Sequence, residues 1–158
     1  MPSVLTACFA ALALAPAPAP PASPLLGSWA VDVATLPVPP AARPREVTFT
    51  LADRADGNWS SVVRIVGPDG AVRAMTALVP PDGSQTVAIS GDQLEADHVA
   101  LKLVSPTVLV MALAKSGIPA STRIYTLDPD AKHMTETAVY LGEDGAAVMR
   151  TNHFTRRP

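Results

Sequence analysis

The stretch Glu46-Val47-Thr48-Phe49-Thr50-Leu51 decides the fold. Val47, Phe49 and Leu51 occupy every second position, with polar residues between them, which is the two-residue period of a strand with one buried face. The alternation returns where Val99, Leu101 and Leu103 interleave with His98, Ala100 and Lys102. Working outward, turn signals punctuate the chain at Asp56-Gly57, Pro68-Asp69-Gly70, Pro81-Asp82-Gly83, Gly91-Asp92, Ser105-Pro106, Ser116-Gly117, Asp128-Pro129-Asp130 and Glu143-Asp144-Gly145. Asp-Gly pairs reach the positive φ that tight hairpins need. Ten strands are expected between them, near 25–34, 45–53, 58–67, 71–79, 84–90, 98–104, 107–115, 119–127, 132–141 and 146–155. The connections are too short for crossover helices, so neighbouring strands are antiparallel.

A meander of eight to ten antiparallel strands leaves exposed edges unless it closes, and closure into an up-and-down barrel removes them. A Greek-key sandwich would need long connections. The one long connection expected is Leu36–Arg43 (LPVPPAAR), which could lie across one mouth of a barrel. No window of ordinary helix length carries a 3.6-residue apolar stripe, so a DNA-reading recognition helix has no support. The net charge of −2 likewise gives no basic stripe for a nucleic-acid partner. Apolar residues make up 48% of the 158-residue chain and charged ones 16%, a composition that supports one domain with a core.

The first 22 residues read differently. They carry no charged side chain, and Val4–Ala15 (VLTACFAALALA) is an apolar run too short for the roughly 20 residues that span a bilayer. It has the length of a signal-peptide core and is followed by small residues and prolines. Residues 1–22 are therefore expected to be a signal peptide cleaved after Ala22, and 23–158 the mature domain, exported to the periplasm or secreted, with no transmembrane span after cleavage. The first basic side chain is Arg43, which leaves a start upstream of Met1 open. Leu5-Thr6-Ala7-Cys8 offers a second route, a lipoprotein acylated at Cys8. Ten of the 17 prolines lie in residues 1–44, and Pro16–Pro24 reads as a stiff extended spacer. Cys8 is the one cysteine, so no internal disulfide or thiolate metal cage is available.

Several segments together resemble a known group. GSWAVDVATL (27–36), GPDGAV (67–72), DQLEADHVALKLVSPT (92–107) and STRIYTLDPDAKHMTETAVYLGEDGAAV (121–148) are similar to small exported bacterial lipocalin-like proteins, whose first strand opens with Gly-x-Trp. The resemblance covers nearly all of residues 25–158. It implies a lipocalin/calycin-like barrel with an internal cavity, and no particular activity. In lipocalins an arginine of the last strand packs over the first-strand tryptophan. Here an even strand count brings the end of the last strand beside Trp29. Arg156 shares parity with the inward-looking Phe154 and Val148, and Arg157 is the alternative. Gly27, Trp29, Phe154 and Arg156 are thus expected to close the barrel, with Trp29 a structural plug rather than a ligand contact.

Inward parity predicts a lumen lined by Val31, Val33, Val47, Phe49, Leu51, Val99, Leu101, Leu103, Leu109 and Met111, with Tyr125, Met134 and Tyr140 adding polarisable or hydroxyl contacts. Such a lining suits a lipid-like or other small hydrophobic molecule. The competing expectation is a lumen filled by its own side chains, as in many eight-stranded barrels, in an envelope structural or interaction module. Aromatic residues are only 4%, few for a flat ligand such as haem, and no cofactor is expected. No nucleophile elbow, Ser-x-x-Lys pair, zinc-protease motif or phosphate loop is present, so no catalytic residue is assigned. His98, His133 and His153 read as solvated strand positions, not metal ligands. His133 and Glu136 fall on opposite faces of a strand. Strand 107–115 is apolar on both faces, so its outer face is either covered, by the spacer, a membrane surface or a second copy in a homodimer, or merely shows Val108 and Val110 beside small Ala112 and Ala114.

Overall fold

A computed structural model describes residues 22–158; most of the expected leader, with its apolar run and Cys8, lies outside the described residues. Eleven strands form one sheet: β1 (Gly27–Val31), β2 (Glu46–Asp53), β3 (Trp59–Val66), β4 (Val72–Val79), β5 (Val87–Ala88), β6 (Ser90–Gly91), β7 (His98–Ser105), β8 (Val108–Lys115), β9 (Ile118–Leu127), β10 (His133–Leu141) and β11 (Ala147–Arg156). Every pairing is antiparallel, and the order runs β5-β7-β8-β9-β10-β11-β1-β2-β3-β4-β6. The ends of that order, β5 and β6, are consecutive in the chain with Ile89 between them. The meander therefore bends round into a nearly closed barrel.

The stretch expected as one strand at 84–90 is divided because it changes partner. Val87 and Ala88 pair with Val99 and His98 of β7, whereas Ser90 and Gly91 pair with Thr76 and Met75 of β4. Ile89 is buried at the switch, its N–H bound to the Asp97 carbonyl at 2.8 Å. At Gly91 (φ +88°) a Cβ would lie 2.3 Å from the Ala74 carbonyl oxygen, so only glycine lets the strands approach there. At the other end of the seam the Leu103 N–H reaches the Pro81 carbonyl at 2.7 Å, and Asp82 bridges Lys102.

The first strand is shorter than the expected 25–34. Asp32 accepts from the Ala34 N–H and starts a 3-10 turn over Val33–Thr35, which takes Val33 out of the strand. A second such turn spans Pro40–Ala42. Among the described residues no helix is long and apolar enough to cross a membrane.

Strand direction sorts the connections onto two ends of the barrel. One end carries residues 22–26, the connections β2–β3, β4–β5, β7–β8 and β9–β10, and the C-terminus. The other carries the 32–45 loop and the connections β3–β4, β6–β7, β8–β9 and β10–β11. The first end is plugged. Leu25, Trp29, Leu51, Leu101, Leu109, Met134 and Val79 are all buried to within about 1% there, joined by Trp59 and Leu127. Trp29 pairs with Phe49 of β2 and with Arg156 of β11. Its indole N–H donates to the Leu25 carbonyl at 2.9 Å, and the Arg156 guanidinium carbon lies 4.1 Å from the indole centroid. Arg156 also donates to the carbonyls of Ala131 and Leu26, each at 2.8 Å, and to that of Pro24. One guanidinium thus ties the incoming chain, the first strand and the β9–β10 connection together. Arg157 points elsewhere, to Glu46. Gly27 (φ +126°) is where that guanidinium passes: a Cβ there would stand 2.6 Å from Arg156 Nη1.

Candidate functional site

Above the plug the barrel is hollow. A cavity of about 560 Å³ lies between the plug and the second end, where Leu36, Val38 and Ala42 of the 32–45 loop bend over it. Its floor is an aromatic trio from three parts of the sheet. Phe49 stacks on Tyr125 with centroids 4.8 Å apart, and Phe154 meets Tyr125 edge-on at 5.9 Å. One side is apolar, from Val31, Val47, Val63, Ile65, Met75, Ala77, Ile89, Val99, Met111 and Leu113.

The opposite wall is polar and follows from strand register. β9, β10 and β11 present inward residues in rows across the three strands. Nearest the plug is Leu127–Met134–Phe154. Next come Tyr125–Glu136–Asn152, then Arg123–Ala138–Arg150, and at the mouth Ser121–Tyr140–Val148. Small Ala138 leaves the two arginines facing each other across a gap. They also line a smaller recess of about 330 Å³ with Glu95, Ala120, Ser121 and Tyr140.

Glu136 is 1% exposed yet fully engaged. Its Oε1 accepts from Arg123 at 3.1 Å and from the Tyr125 hydroxyl at 3.2 Å, and its Oε2 from the Asn152 amide at 2.6 Å. Burial first, then the Glu136 charge, push the Tyr125 phenol well above its ordinary pKa against the pull of Arg123. Burial disfavours the Arg123 charge, but the oxygens of Tyr125, Glu136 and Glu95 outweigh it and hold its pKa above the usual value. Arg123 also meets Glu95 at 3.2 Å. This cluster is one guanidinium shared by two carboxylates, with two neutral donors on Glu136, so its chemistry is positioning rather than proton transfer. Three buried side-chain atoms of cavity-lining residues have no hydrogen-bond partner among the described residues: Arg123 Nε, Arg150 Nε and Asn152 Oδ1.

Of the residues expected to line a lumen, Val31, Val47, Phe49, Val99, Met111 and Tyr125 line the cavity. Leu51, Leu101, Leu109 and Met134 are buried in the plug instead, with Leu103 packed against it. Tyr140 lines the side recess, with the Arg150 guanidinium carbon 5.8 Å from its ring centroid. Parity tells inward from outward but not height along the barrel axis, and the plug occupies the lower half. Of the polar wall, Tyr125 and Tyr140 were expected, whereas Arg123, Glu136, Arg150 and Asn152 were not. Their signal was the same parity: Arg123 shares a face with Tyr125, Glu136 with Met134, and Asn152 and Arg150 with Phe154.

His98, His133 and His153 are exposed, the first two bonded to Asp97 and Asp130. Among the described residues no group of three His, Cys, Asp or Glu side chains gathers as a metal site. On the outer face of β8, Val108, Val110 and Ala114 are half-buried and Ala112 is exposed.

No protein-family model matches the chain, and no curated protein matches it. Among solved structures it is similar to a mutant of the fluorescent protein UnaG, with a TM-score of 0.50 and 15% sequence identity over 85% of this chain and 97% of that one. At that identity the likeness speaks to fold alone, and with the strand order it makes this chain an up-and-down barrel of the lipocalin/calycin type.

Proposed function

We propose that this chain is an exported lipocalin-like protein that binds or carries a small hydrophobic, lipid-like molecule in its barrel. The observation that carries the reading is the cavity of about 560 Å³ above a fully packed plug, with a broad apolar wall facing one polar wall. That is the form of a small-molecule site. The barrel of similar fold is a fluorescent protein, which is compatible with a ligand held inside. Export rests on the apolar, uncharged run at Val4–Ala15 followed by the proline-rich spacer. The test is native mass spectrometry of the full chain's processed product, purified from its host without detergent. The expected spectrum shows a mass increment that disappears on organic extraction. A product of bare chain mass that takes up no apolar probe would overturn the carriage reading in favour of an envelope module. The same spectrum reads the processing site: an N-terminus at Ser23 supports the signal peptide, and a lipid-bearing Cys8 supports the lipoprotein route. Should a second copy dock, the outer face of β8 is the surface we assign to it. Sedimentation of the mature domain that stays monomeric at every concentration would remove that assignment.

A further inference from the structure

We infer that the molecule carried in the barrel is an amphipathic organic anion, with its apolar body against the Val47–Met111 side and its anionic group at Arg150. The inference rests on the carriage reading and goes beyond it by fixing the ligand's charge. Its basis is an imbalance in how the wall's charges are used. Glu136 is matched by Arg123, and Glu95, about half exposed, is committed to the second nitrogen of that same arginine at 3.2 Å. Arg73, also lining the cavity, is held by Asp92 at 2.8 Å. Arg150 enters no ion pair and no hydrogen bond among the described residues, and its Nε is buried and unpartnered.

A guanidinium held half-buried without a counter-charge is unfavourable, and an anion that accepts from it recovers the cost through a charge-assisted pair. Tyr140 holds Arg150 in place by its ring face, 5.8 Å from the guanidinium carbon, a contact that supplies no acceptor for the N–H groups. Across Ala138, Arg123 lines the same recess and adds a second guanidinium beside it. A carboxylate or sulfonate there lies within the lumen, while the remaining apolar volume extends to the aromatic floor.

Two fluorescent probes with the same aryl skeleton test this on the folded protein: 1-anilinonaphthalene-8-sulfonate, which carries an anion, and N-phenyl-1-naphthylamine, which does not. The readout is the ratio of their dissociation constants. In Arg150→Met the preference for the sulfonate is expected to fall on the order of tenfold, the loss of one charge-assisted pair. Arg150→Lys is expected to retain most of the preference, and Arg54→Met, an exposed turn variant, all of it. An unchanged ratio in Arg150→Met overturns the inference while leaving carriage intact, whereas failure of both probes to bind wild type overturns carriage itself. Wild type also gives an answer without any variant. Laurate should displace bound N-phenyl-1-naphthylamine at a concentration roughly tenfold below that of 1-dodecanol, and equal displacement contradicts the anion site.

Discussion

Trp29 and Arg156 join the first and last strands at the plugged end of the barrel. The indole is completely buried, and the guanidinium above it satisfies three carbonyls, Pro24 and Leu26 of the incoming chain and Ala131 of the distant β9–β10 connection. Replacing Trp29 with alanine opens a cavity in a packed plug and should cost about 3–5 kcal/mol, which lowers the melting temperature by roughly 10 °C in a domain of this size. A melting curve indistinguishable from wild type would refute the closure described here. Gly27→Ala should also destabilise, because a side chain there meets Arg156 Nη1 at 2.6 Å on a backbone with φ +126°. The tryptophan and the arginine were legible in the sequence through the lipocalin resemblance, with parity singling out Arg156 over Arg157. Gly27 was legible as part of the same motif, but its physical reason was not, since it arises from where a long side chain passes on another strand. Asp130 gives a pH test at the same scale. The Lys132 backbone N–H, then the His133 side chain, hold its carboxyl down to about 2 from an ordinary 3.8. A depressed carboxyl contributes stability that is complete above the unfolded value and lost as pH falls through the folded one. Asp130→Asn should therefore make the fall in melting temperature between pH 4 and 2 shallower than in wild type.

Among the elements, β9, β10 and β11 act as one unit, because register sets Tyr125, Glu136 and Asn152 side by side. Breaking a buried ion pair from one side costs about 3–5 kcal/mol, whereas replacing both partners by apolar groups is often near neutral. Glu136→Leu alone should lower stability by about that amount, and Arg123→Met combined with Glu136→Leu should regain most of it. Chemical denaturation of the single and double variants measures the coupling, and additive losses would show that the pair is not a unit. Tyr125 gives a spectroscopic check. Its phenol is held protonated by burial and by Glu136, so stability should fall as pH rises above the ordinary 10.0. That fall should be less steep in Tyr125→Phe. A variant whose alkaline stability profile matches wild type would contradict the buried phenol. These strands were legible as strands because their apolar residues alternate. Their polar inward residues were not recognised because arginine, glutamate and asparagine at alternate positions look like a solvated face. Only the neighbouring strands' register shows that they meet. The division of 84–90 into β5 and β6 escaped for a related reason: a strand that changes partner has the same local pattern as one that does not.

For the molecule as a whole, the barrel divides into a packed half and a hollow half. The plug follows from large residues, Trp29, Leu51, Trp59, Leu101 and Met134, converging at the end where the N-terminal segment enters. The hollow follows from smaller inward residues along its wall, Ser61, Val63, Ala77 and Val99, with Ala138 at the side recess. Residue size along each strand could have revealed this gradient, but only once strand direction was assigned to the two ends. We propose that the hollow half is the binding site. That proposal is tested most directly by titrating the folded domain with N-phenyl-1-naphthylamine, wild type against Ser61→Phe, a substitution that places a ring in the cavity from β3. Wild type should bind one probe per chain, and the variant, still folded by its melting transition, should bind on the order of tenfold or more weakly, as expected when a pocket is filled. Equal binding by the two proteins, or no saturable binding by wild type, would contradict it.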